Sequence, residues 1–408
     1  MYLLVYSINC SDFRLDELEA LMTLYERHYR IKYCELHSPF VLVESDGDCK
    51  PFERSILIKY IYDFLYEATC IENLISQLNI NDYKEHKLDT FRFETHCHGG
   101  ASNRVEMITQ VIANMGIKGK ISMKDPQQQY GLCIYLDNKK VLTKIYMGRL
   151  LSADTNHKAT HLFNLKDRKY IGTTSMDSSL SLLMANCALV KPGSLVYDPF
   201  VGTGSLLVVS SFFGACSIGS DFDGRQIRGT MKGAQPNTNG IAGNMEFYNL
   251  AQNYVGSCVF DFATSPFRQV EILDAIVADP PYCIRASAKK IKSGDREKEL
   301  SEYYKFPETE MYSMSEIVYD LLDFSARNLK IKGRLVYWLP IVHGRNRSET
   351  LSRKNIPEHP SFKIISYPKQ TFPKWTRFMV IMEKTLPYIK MEDKISFSDF
   401  REGYYSKS

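Results

Sequence analysis

Four short apolar segments in the second half of this sequence each end in an aspartate. The four aspartates, with room for a helix or loop between them, are Asp198, Asp221, Asp261 and Asp279. Strands that alternate with helices predict a parallel sheet, in which the carboxyl ends of the strands meet at one edge. The sequence therefore predicts an α/β fold with four acidic side chains along the edge where such folds bind ligands.

The first of these aspartates opens a glycine-rich turn. The apolar residues 195–197 are followed by Asp198-Pro199-Phe200-Val201-Gly202-Thr203-Gly204-Ser205 and then by the apolar start of a predicted helix. Glycines let the backbone approach a ligand closely, and the helix start offers N–H groups without partners. The spacing is neither G-x-G-x-x-G nor G-x-x-x-x-G-K-[ST], which argues against dinucleotide-dependent hydride transfer and against nucleotide hydrolysis.

The next two strand ends suit the nucleoside part of a cofactor. Residues 215–220 lead to Asp221, where a carboxylate can accept hydrogen bonds from the two hydroxyls of a ribose. Asp261 follows a third predicted strand and is placed to meet an adenine amino group. Asp223 is a second candidate for the ribose, although its position directly before Gly224 also suits the N-cap of a helix.

The fourth strand end is Asp279-Pro280-Pro281-Tyr282, which follows the apolar residues 272–278. A carboxylate or carbonyl oxygen here can accept a hydrogen bond from an exocyclic N–H group, and this localises the nitrogen lone pair that a planar base otherwise delocalises. The prolines fix φ and hold these acceptors in place, while the tyrosine offers a flat face for base stacking. The motif therefore indicates alkylation of an amino group on a base, although an ordinary turn could have the same sequence.

The composition is that of a globular protein with more than one domain. The chain has 408 residues, of which 44% are hydrophobic and 24% charged. No apolar stretch approaches about eighteen residues, so no membrane span is expected. Residues 1–8 indicate a first strand rather than an export signal, and the ten cysteines are expected to be reduced thiols of a cytoplasmic protein. No metal site is expected at His96-Cys97-His98, because no second ligand pair completes it.

Together these segments resemble the class I S-adenosylmethionine-dependent methyltransferases that act on amino groups. A closer resemblance, from about Phe163 to about Lys384, is to the eukaryotic THUMP-containing tRNA guanosine-10 N2-methyltransferase catalytic subunits. It rests on the glycine-rich turn, on D-P-P-Y-C-I-R, and on residues 169–177, 183–186 and 333–340. Cys283 departs from the family, which usually has glycine after D-P-P-Y, and a cysteine would be strained if that position needs positive φ.

The resemblance implies the reaction and its ligands. The expected reaction moves a methyl group from S-adenosylmethionine to the exocyclic N2 of a guanosine in tRNA, after the nucleotide flips out of its stem. The candidate catalytic residues are Asp279, Pro280, Pro281 and Tyr282. The candidate cofactor-binding residues are Asp198, Phe200, Gly202, Thr203, Gly204, Asp221, Asp223, Asp261, Thr174 and Ser175. For Thr174 and Ser175 the alternative is that they cap the helix that begins near Asp177.

The resemblance also implies a heterodimer with a small zinc-binding methyltransferase activator subunit. In that family the activator covers an apolar edge of the catalytic domain. We expect this edge at Val196-Tyr197, Val208-Val209 and Phe212-Phe213, which are more apolar than a monomer needs there. The alternative is that these residues face an ordinary core.

Four segments are predicted along the chain. Residues 1–60 predict a small ferredoxin-like α/β module, with a helix at 15–29. Residues 61–155 are similar to a THUMP domain and include a predicted hairpin at 130–147. A linker at 156–172 then leads to the methyltransferase domain, residues 173–408, for which the family implies a Rossmann-like, mostly parallel sheet of seven strands.

Two segments of the predicted methyltransferase domain are expected to be irregular. Residues 224–243 are rich in glycine, asparagine and threonine and indicate an insertion. Residues 284–312 are charged and directly follow D-P-P-Y, which favours a substrate-facing loop.

The distribution of charge says more than the net charge of +4. Residues 91–170 carry 13 Lys and Arg against 6 Asp and Glu, a net of +7, whereas residues 1–60 carry 7 against 10. Clustered positive charge is typical of surfaces that bind nucleic-acid phosphates, although many charged runs are only solvated faces. With the methyltransferase motifs downstream, the sequence favours tRNA binding by this segment.

Two other functions stay open at this point. An adenine-N6 methyltransferase acting on DNA or RNA would share D-P-P-Y, but the sequence shows no C-terminal DNA-reading domain. A catalytically silent RNA-binding protein could keep the same fold, but the acidic and glycine positions are intact.

Overall fold

The computed structural model describes residues 1–8, 10–35, 37–78, 90–100, 103–137, 139–154, 157–172, 175–231, 238–282, 288–292, 308–343 and 353–391. The chain divides into two compact units. The N-terminal unit comprises Met1–Arg14 and Leu21–Ala159, and the C-terminal unit comprises Leu15–Ala20 and Thr160–Ser408. Among the described residues, no helix combines the length and apolar character needed to cross a membrane.

The N-terminal unit is built on a single sheet. Its strands are β1 Tyr2–Tyr6, β2 Tyr29–Cys34, β3 Phe40–Ser45, β4 Ile58–Ala68, β5 Thr90–His98, β6 Lys120–Ile121, β7 Gln128–Leu136 and β8 Leu142–Ala153. The helices between these strands are α1 Arg14–Leu24, of which Leu15–Ala20 belong to the C-terminal unit, α2 Lys50–Glu53, α3 Ile71–Gln77 and α4 Arg104–Met115. The strand order is β2-β3-β1-β4-β8-β7-β5-β6.

Helix α4 shows how the sequence builds this unit. Its buried residues Met107, Val111 and Met115 recur every four positions, so they form one apolar stripe. The stripe packs against the sheet through a core that includes Leu132. The helix ends where Gly116 takes a left-handed φ of +68°, a conformation that costs glycine little.

The predicted hairpin at 130–147 is confirmed, because β7 and β8 pair antiparallel. The predicted domain boundary between residues 60 and 61 falls inside β4. That strand pairs with β1 on one side and β8 on the other, so one sheet carries both predicted modules.

The C-terminal unit contains a seven-stranded sheet in the order β11-β10-β9-β12-β15-β18-β16, and β17 pairs with β18. The strands are β9 Leu195–Asp198, β10 Cys216–Asp221, β11 Tyr254–Val259, β12 Leu273–Ala278, β13 Lys289–Ile291, β14 Thr309–Met311, β15 Leu329–Val342, β16 Phe362–Ser366, β17 Lys369–Thr371 and β18 Trp375–Lys384. Strands β9 to β12 and β15 run parallel to one another, while β18 runs antiparallel to β15 and β16. The predicted Rossmann-like, mostly parallel sheet is confirmed.

Six α-helices in the described residues accompany this sheet or lead into it. They are α5 His157–Leu162, α6 Ser178–Cys187, α7 Ser205–Phe212, α8 Gly224–Arg228, α9 Gly240–Phe247 and α10 Met314–Asn328. Helix α10 begins with a capping box, in which Ser313 and Glu316 each bond the backbone of the other. Its buried residues Val318 and Leu321 pack into the same core as Ile276 of β12.

Two predictions about this unit are wrong, those for residues 224–243 and for the apolar edge. Residues 224–243 are not simply irregular, because both ends are helical in α8 and α9. Within the segment predicted as a linker, α5 is helical and Tyr170 is 2% exposed. Val196-Tyr197 and Val208-Val209 are not an exposed edge, because all four side chains are 0% exposed. They belong to the core, as expected for a parallel sheet buried on both faces, whereas Phe212 is exposed. Cys283 lies outside the described residues.

Candidate active site

The four aspartates meet at one edge of the seven-stranded sheet. Asp198 and Asp221 are the last residues of β9 and β10, Asp279 directly follows β12, and Asp261 comes two residues after β11. These strands are parallel neighbours in the order β11-β10-β9-β12, so their carboxyl ends lie side by side. The sequence-based expectation of an acidic edge is therefore met.

Asp198 lies at the centre of this edge and is 2% exposed. Its Oδ1 accepts a hydrogen bond from the Phe200 N–H at 3.0 Å, which fixes the start of the turn. Burial raises the pKa of the Asp198 carboxyl well above its usual range, and the nearby charges of Asp221 and Asp279 raise it further. Asp221 and Asp279 are thus close enough to Asp198 to affect its pKa. Such a cluster of acceptors favours a ligand that donates hydrogen bonds.

The glycine-rich turn is held by the neighbouring strand. Gly202 and Gly204 have φ of +49° and +83°, a region that other residues rarely adopt. The Gly202 N–H donates to Asp221 Oδ2 at 2.9 Å, and a Cβ on Gly204 would lie 2.9 Å from Ile241. Backbone conformation and packing together therefore require glycine at position 204.

Thr203 joins the turn to the segment that precedes helix α6. The Thr203 and Ser175 hydroxyls are 2.6 Å apart, and Ser175 Oγ accepts from the Gly172 N–H at 2.9 Å. A Cβ on Gly172 would lie 2.8 Å from Thr203 Cγ2, so the two segments approach closely. The Asp177 carboxylate caps α6, so the capping alternative for Ser175 is wrong. Thr174 lies outside the described residues.

The two candidates for the ribose have different partners. Asp221 Oδ1 and Oδ2 accept from the backbone N–H groups of Asp223 and Gly202, and burial raises the pKa of its carboxyl. Asp223 is the N-cap of α8 and forms an ion pair with Arg225 at 2.7 Å, which lowers the pKa of Asp223. Asp223 is therefore engaged in capping and in an ion pair, Asp221 holds the turn, and contact of either with the ribose stays a prediction.

Asp261 is buried and already accepts two backbone hydrogen bonds. Its Oδ1 accepts from the Ala263 N–H at 3.0 Å, which caps a short 3₁₀ turn, and its Oδ2 accepts from the Ile291 N–H at 2.8 Å. Asp261 therefore ties the antiparallel pair β13–β14, which follows D-P-P-Y in sequence, to the end of β11. Contact of Asp261 with an adenine amino group stays a prediction.

The surroundings of Asp279 favour a binding role for its carboxylate. Its Oδ1 is buried and has no hydrogen-bond partner in the part of the chain that the structure describes. Burial raises the pKa of the carboxyl, while a hydrogen bond from Tyr282 and the charge of Arg377 lower it. An acceptor without a partner is costly to bury unless a ligand satisfies it, so its presence here favours a binding role.

The structure adds neighbours of Tyr282 that sequence reasoning missed. The Tyr282 ring lies edge-on to Trp375, with ring centres 5.8 Å apart, and Trp375 stacks on Phe372 at 4.3 Å. Arg377 lies over Trp338 and reaches the Tyr282 hydroxyl. The chain has two tryptophans and both lie here, which was the one signal that could have identified this group.

Comparison with known proteins agrees with this geometry. Residues 1–155 match the family model described as the Tmrp11 THUMP N-terminal domain, and residues 165–408 match the model described as N-6 DNA methylase. The first covers the N-terminal sheet and the second covers nearly all of the C-terminal unit. The second model includes all four aspartates of the acidic edge.

Curated relatives extend over almost the whole chain. The tRNA (guanine(10)-N(2))-methyltransferase of Saccharomyces cerevisiae is 34% identical, over 97% of this chain and 96% of that protein. The protein of the same name from Schizosaccharomyces pombe is 34% identical, over 91% and 81% of the two chains. The crystal structure of TrmN from Thermus thermophilus is 15% identical, with a TM-score of 0.46, and covers 94% of this chain and 99% of that one.

Proposed function

Because this chain belongs to the family of the tRNA (guanine(10)-N(2))-methyltransferases, we propose that it methylates the exocyclic N2 of a guanosine in tRNA. S-adenosylmethionine is the methyl donor. The observation that carries the proposal is the buried Asp279 Oδ1, which lacks a partner among the described residues and lies at the same sheet edge as the glycine-rich turn. The Asp279 carboxylate is thus available to an amino group brought to that edge.

The residues at the sheet edge fit S-adenosylmethionine. A side chain at Gly202 would meet nothing closer than 3.8 Å, so a ligand has room to approach the backbone there. Asp221 offers a carboxylate to the ribose hydroxyls. When bound, the cofactor supplies a methyl group on a sulfonium, which is already a strong electrophile. The chain therefore mainly has to orient the accepting nitrogen and exclude water.

Asp279 and the Pro280 carbonyl act on the accepting nitrogen. Each accepts one amino hydrogen of guanine N2, which directs the nitrogen lone pair out of the ring plane. As N2 forms a bond to the methyl carbon, the bond from that carbon to sulfur would break and leave its electron pair on sulfur, as a neutral thioether. N2 would then carry one proton too many, and Asp279 would accept that proton directly or through water. The raised pKa of the buried Asp279 carboxyl suits it as the acceptor. Tyr282 stacks on the flipped guanine.

An adenine-N6 methyltransferase is the second candidate, since the model that covers residues 165–408 carries the description N-6 DNA methylase. A methylation assay on three substrates separates the two. These are a tRNA transcript, the same transcript with adenosine in place of guanosine 10, and a DNA duplex. We expect methylation of the first alone. Methylation of the second or third would favour the adenine enzyme, and failure to bind S-adenosylmethionine in calorimetry would favour a silent RNA-binding protein.

Exposed lysines of the N-terminal unit are proposed to contact tRNA phosphates. Arg92, Lys144 and Arg149 of the basic segment 91–170 form ion pairs with acids of the same sheet. Within the N-terminal unit, the other exposed lysines of this segment, for which the described residues show no ion pair, are Lys118, Lys120, Lys124, Lys139 and Lys140. These five lysines lie around β6 and the β7–β8 turn, which supports phosphate contacts there.

Replacing Lys118, Lys120 and Lys124 with glutamine should weaken tRNA binding. Each lost phosphate contact should lower the slope of log K against log salt by about one. Filter binding at several salt concentrations measures both quantities. The matched control is a variant with Lys32 and Lys50 changed, because these lysines are paired with acids in the acidic segment 1–60. An unchanged slope in the triple variant would contradict the proposal.

We also propose the small zinc-binding partner subunit, at a different edge from the one expected from sequence. Strand β11 is at the end of the seven-stranded sheet, and one side of it has no neighbouring strand in the described sheet. Its Val255 and Val259 are 63% and 49% exposed, and the nearby Phe247 of α9 is 49% exposed. Exposed aliphatic side chains on an edge strand favour association with another chain.

Co-expression with the activator should increase the yield of soluble, monodisperse chain. A V255D variant should lose co-purification, because a carboxylate would be buried without a partner. I331D is the matched control, since Ile331 is 44% exposed near the start of β15, away from the β11 edge. A single chain that is soluble and fully active alone would exclude an obligate partner. A cytoplasmic location remains part of this proposal, and microscopy of a fluorescent fusion would test it.

A further inference from the structure

Arg377 of strand β18 is held in a fixed position behind D-P-P-Y. Its guanidinium carbon lies 4.3 Å from the centre of the Trp338 ring, and its Nε donates to Gln370 Oε1 at 2.8 Å. A guanidinium that stacks on an indole and donates a hydrogen bond in its own plane loses little further freedom on binding another group. The guanidinium also has N–H groups on its two Nη atoms.

One of those groups reaches Tyr282. Arg377 Nη1 lies 3.4 Å from the Tyr282 hydroxyl oxygen, a long contact of the kind that often shortens when a substrate binds. Trp375, on the same strand as Arg377, lies edge-on to the Tyr282 ring. Strand β18 therefore contacts both the hydroxyl and the ring of the residue on which the base is expected to stack.

The charge of Arg377 also acts on the carboxylate of D-P-P-Y. The charged or titratable groups that face Asp279 are Asp198 from β9, Tyr282 from its own segment and Arg377 from β18. Burial raises the pKa of Asp279, and Arg377 lowers it. His343, which follows β15, bonds the Thr376 hydroxyl instead. A cation at this place favours the charged carboxylate that must accept hydrogen bonds from guanine.

We propose that Arg377 is a positioning residue for methyl transfer, which orients the Tyr282 ring and places a fixed positive charge beside Asp279 and Tyr282. It acts through these two residues and not on the reacting atoms. This inference rests on the proposed function, because the roles of Asp279 and Tyr282 come from it.

Steady-state kinetics of R377Q and R377K on tRNA test the inference. In R377Q we expect kcat to fall by about 10- to 100-fold, the effect of losing one charged hydrogen bond. The KM for S-adenosylmethionine should stay unchanged. Without the cation the pKa of Asp279 rises, so the acid limb of the profile of kcat/KM against pH should move to higher pH. R377K keeps the charge, so its acid limb should match that of the parent. Its kcat should lie between the kcat of the parent and that of R377Q.

Two further variants make the result specific. K363Q removes a positive charge from the exposed surface of edge strand β16 and should behave like the parent. Y282F keeps the ring but removes the hydroxyl that Arg377 contacts. If Arg377 acts through that hydroxyl, the loss in kcat for the R377Q/Y282F double variant should be smaller than the product of the single losses. Calorimetry with S-adenosylmethionine confirms that each variant is folded.

The outcomes separate this inference from the proposed function. A parent chain that forms no N2-methylguanosine would overturn the proposed function. An active parent, with R377Q equal to it in kcat and in the acid limb, would overturn only the role of Arg377. Strictly multiplicative losses in R377Q and Y282F would also overturn it, and R377K decides the question if R377Q fails to fold.

Discussion

Replacing Asp279 with alanine should abolish methyl transfer and leave S-adenosylmethionine binding nearly unchanged. The Asp279 Oδ1 is buried without a partner among the described residues, so its proposed task is to bind the amino group. Removal of a positioned acceptor and base typically costs about 10²- to 10⁴-fold in rate. Single-turnover methylation of tRNA measures the rate, and calorimetry measures the affinity for the cofactor.

The D279N variant is the matched control for this prediction. Asparagine keeps one carbonyl oxygen that can accept a hydrogen bond but cannot take the proton that leaves N2. We expect D279N to be slow, and to lose the acid limb that the titration of Asp279 gives to the parent profile of kcat/KM against pH. A D279A chain that methylates tRNA within a few-fold of the parent rate would show that the carboxylate is not the acceptor.

Replacing Asp221 with alanine should produce the second large effect, a loss of affinity for S-adenosylmethionine. Each charge-assisted hydrogen bond to a ribose hydroxyl contributes up to about 1.5–3 kcal/mol, so the loss should exceed tenfold. Asp221 also accepts from the Gly202 N–H, so its removal should loosen the turn as well. Isothermal titration calorimetry measures the affinity directly.

Asp223 supplies the control, because it is two residues away and its carboxylate is engaged elsewhere. Its side chain caps α8 and pairs with Arg225, so D223A should cost about 0.5–2 kcal/mol of stability and little affinity. D221N, which keeps one acceptor oxygen, should lie between D221A and the parent. Unchanged affinity in D221A together with a loss in D223A would move the ribose role to Asp223.

The seven-stranded sheet and the positions of the four aspartates could be predicted because the signals are local. A short apolar strand, a turn with an acid and a following helix are encoded within about twenty residues, and the rules of parallel sheets place the strand ends together. The end of α1 was predicted less well. The helix ends at Leu24, because Glu26 takes a φ of +53° and β2 begins at Tyr29, whereas its apolar periodicity suggested a helix up to residue 29.

Other features depend on residues that are far apart in sequence. Tyr282, Trp338 and Arg377 meet only because β15 and β18 pair beside β12. The apolar pairs Val196-Tyr197 and Val208-Val209 could have faced a partner or the core, and only the packed sheet shows that they are buried. The Ile291 N–H donates to Asp261 across thirty positions of sequence, and contact of Asp261 with adenine stays a prediction.

Mass spectrometry of tRNA nucleosides tests the central claim most directly. Total tRNA is compared between cells that contain this chain, cells that lack it, and cells in which the parent or D279A chain is restored. We predict that N2-methylguanosine at position ten disappears without the chain, returns with the parent and does not return with D279A. An unchanged level of N2-methylguanosine at position ten in cells that lack the chain would contradict the account.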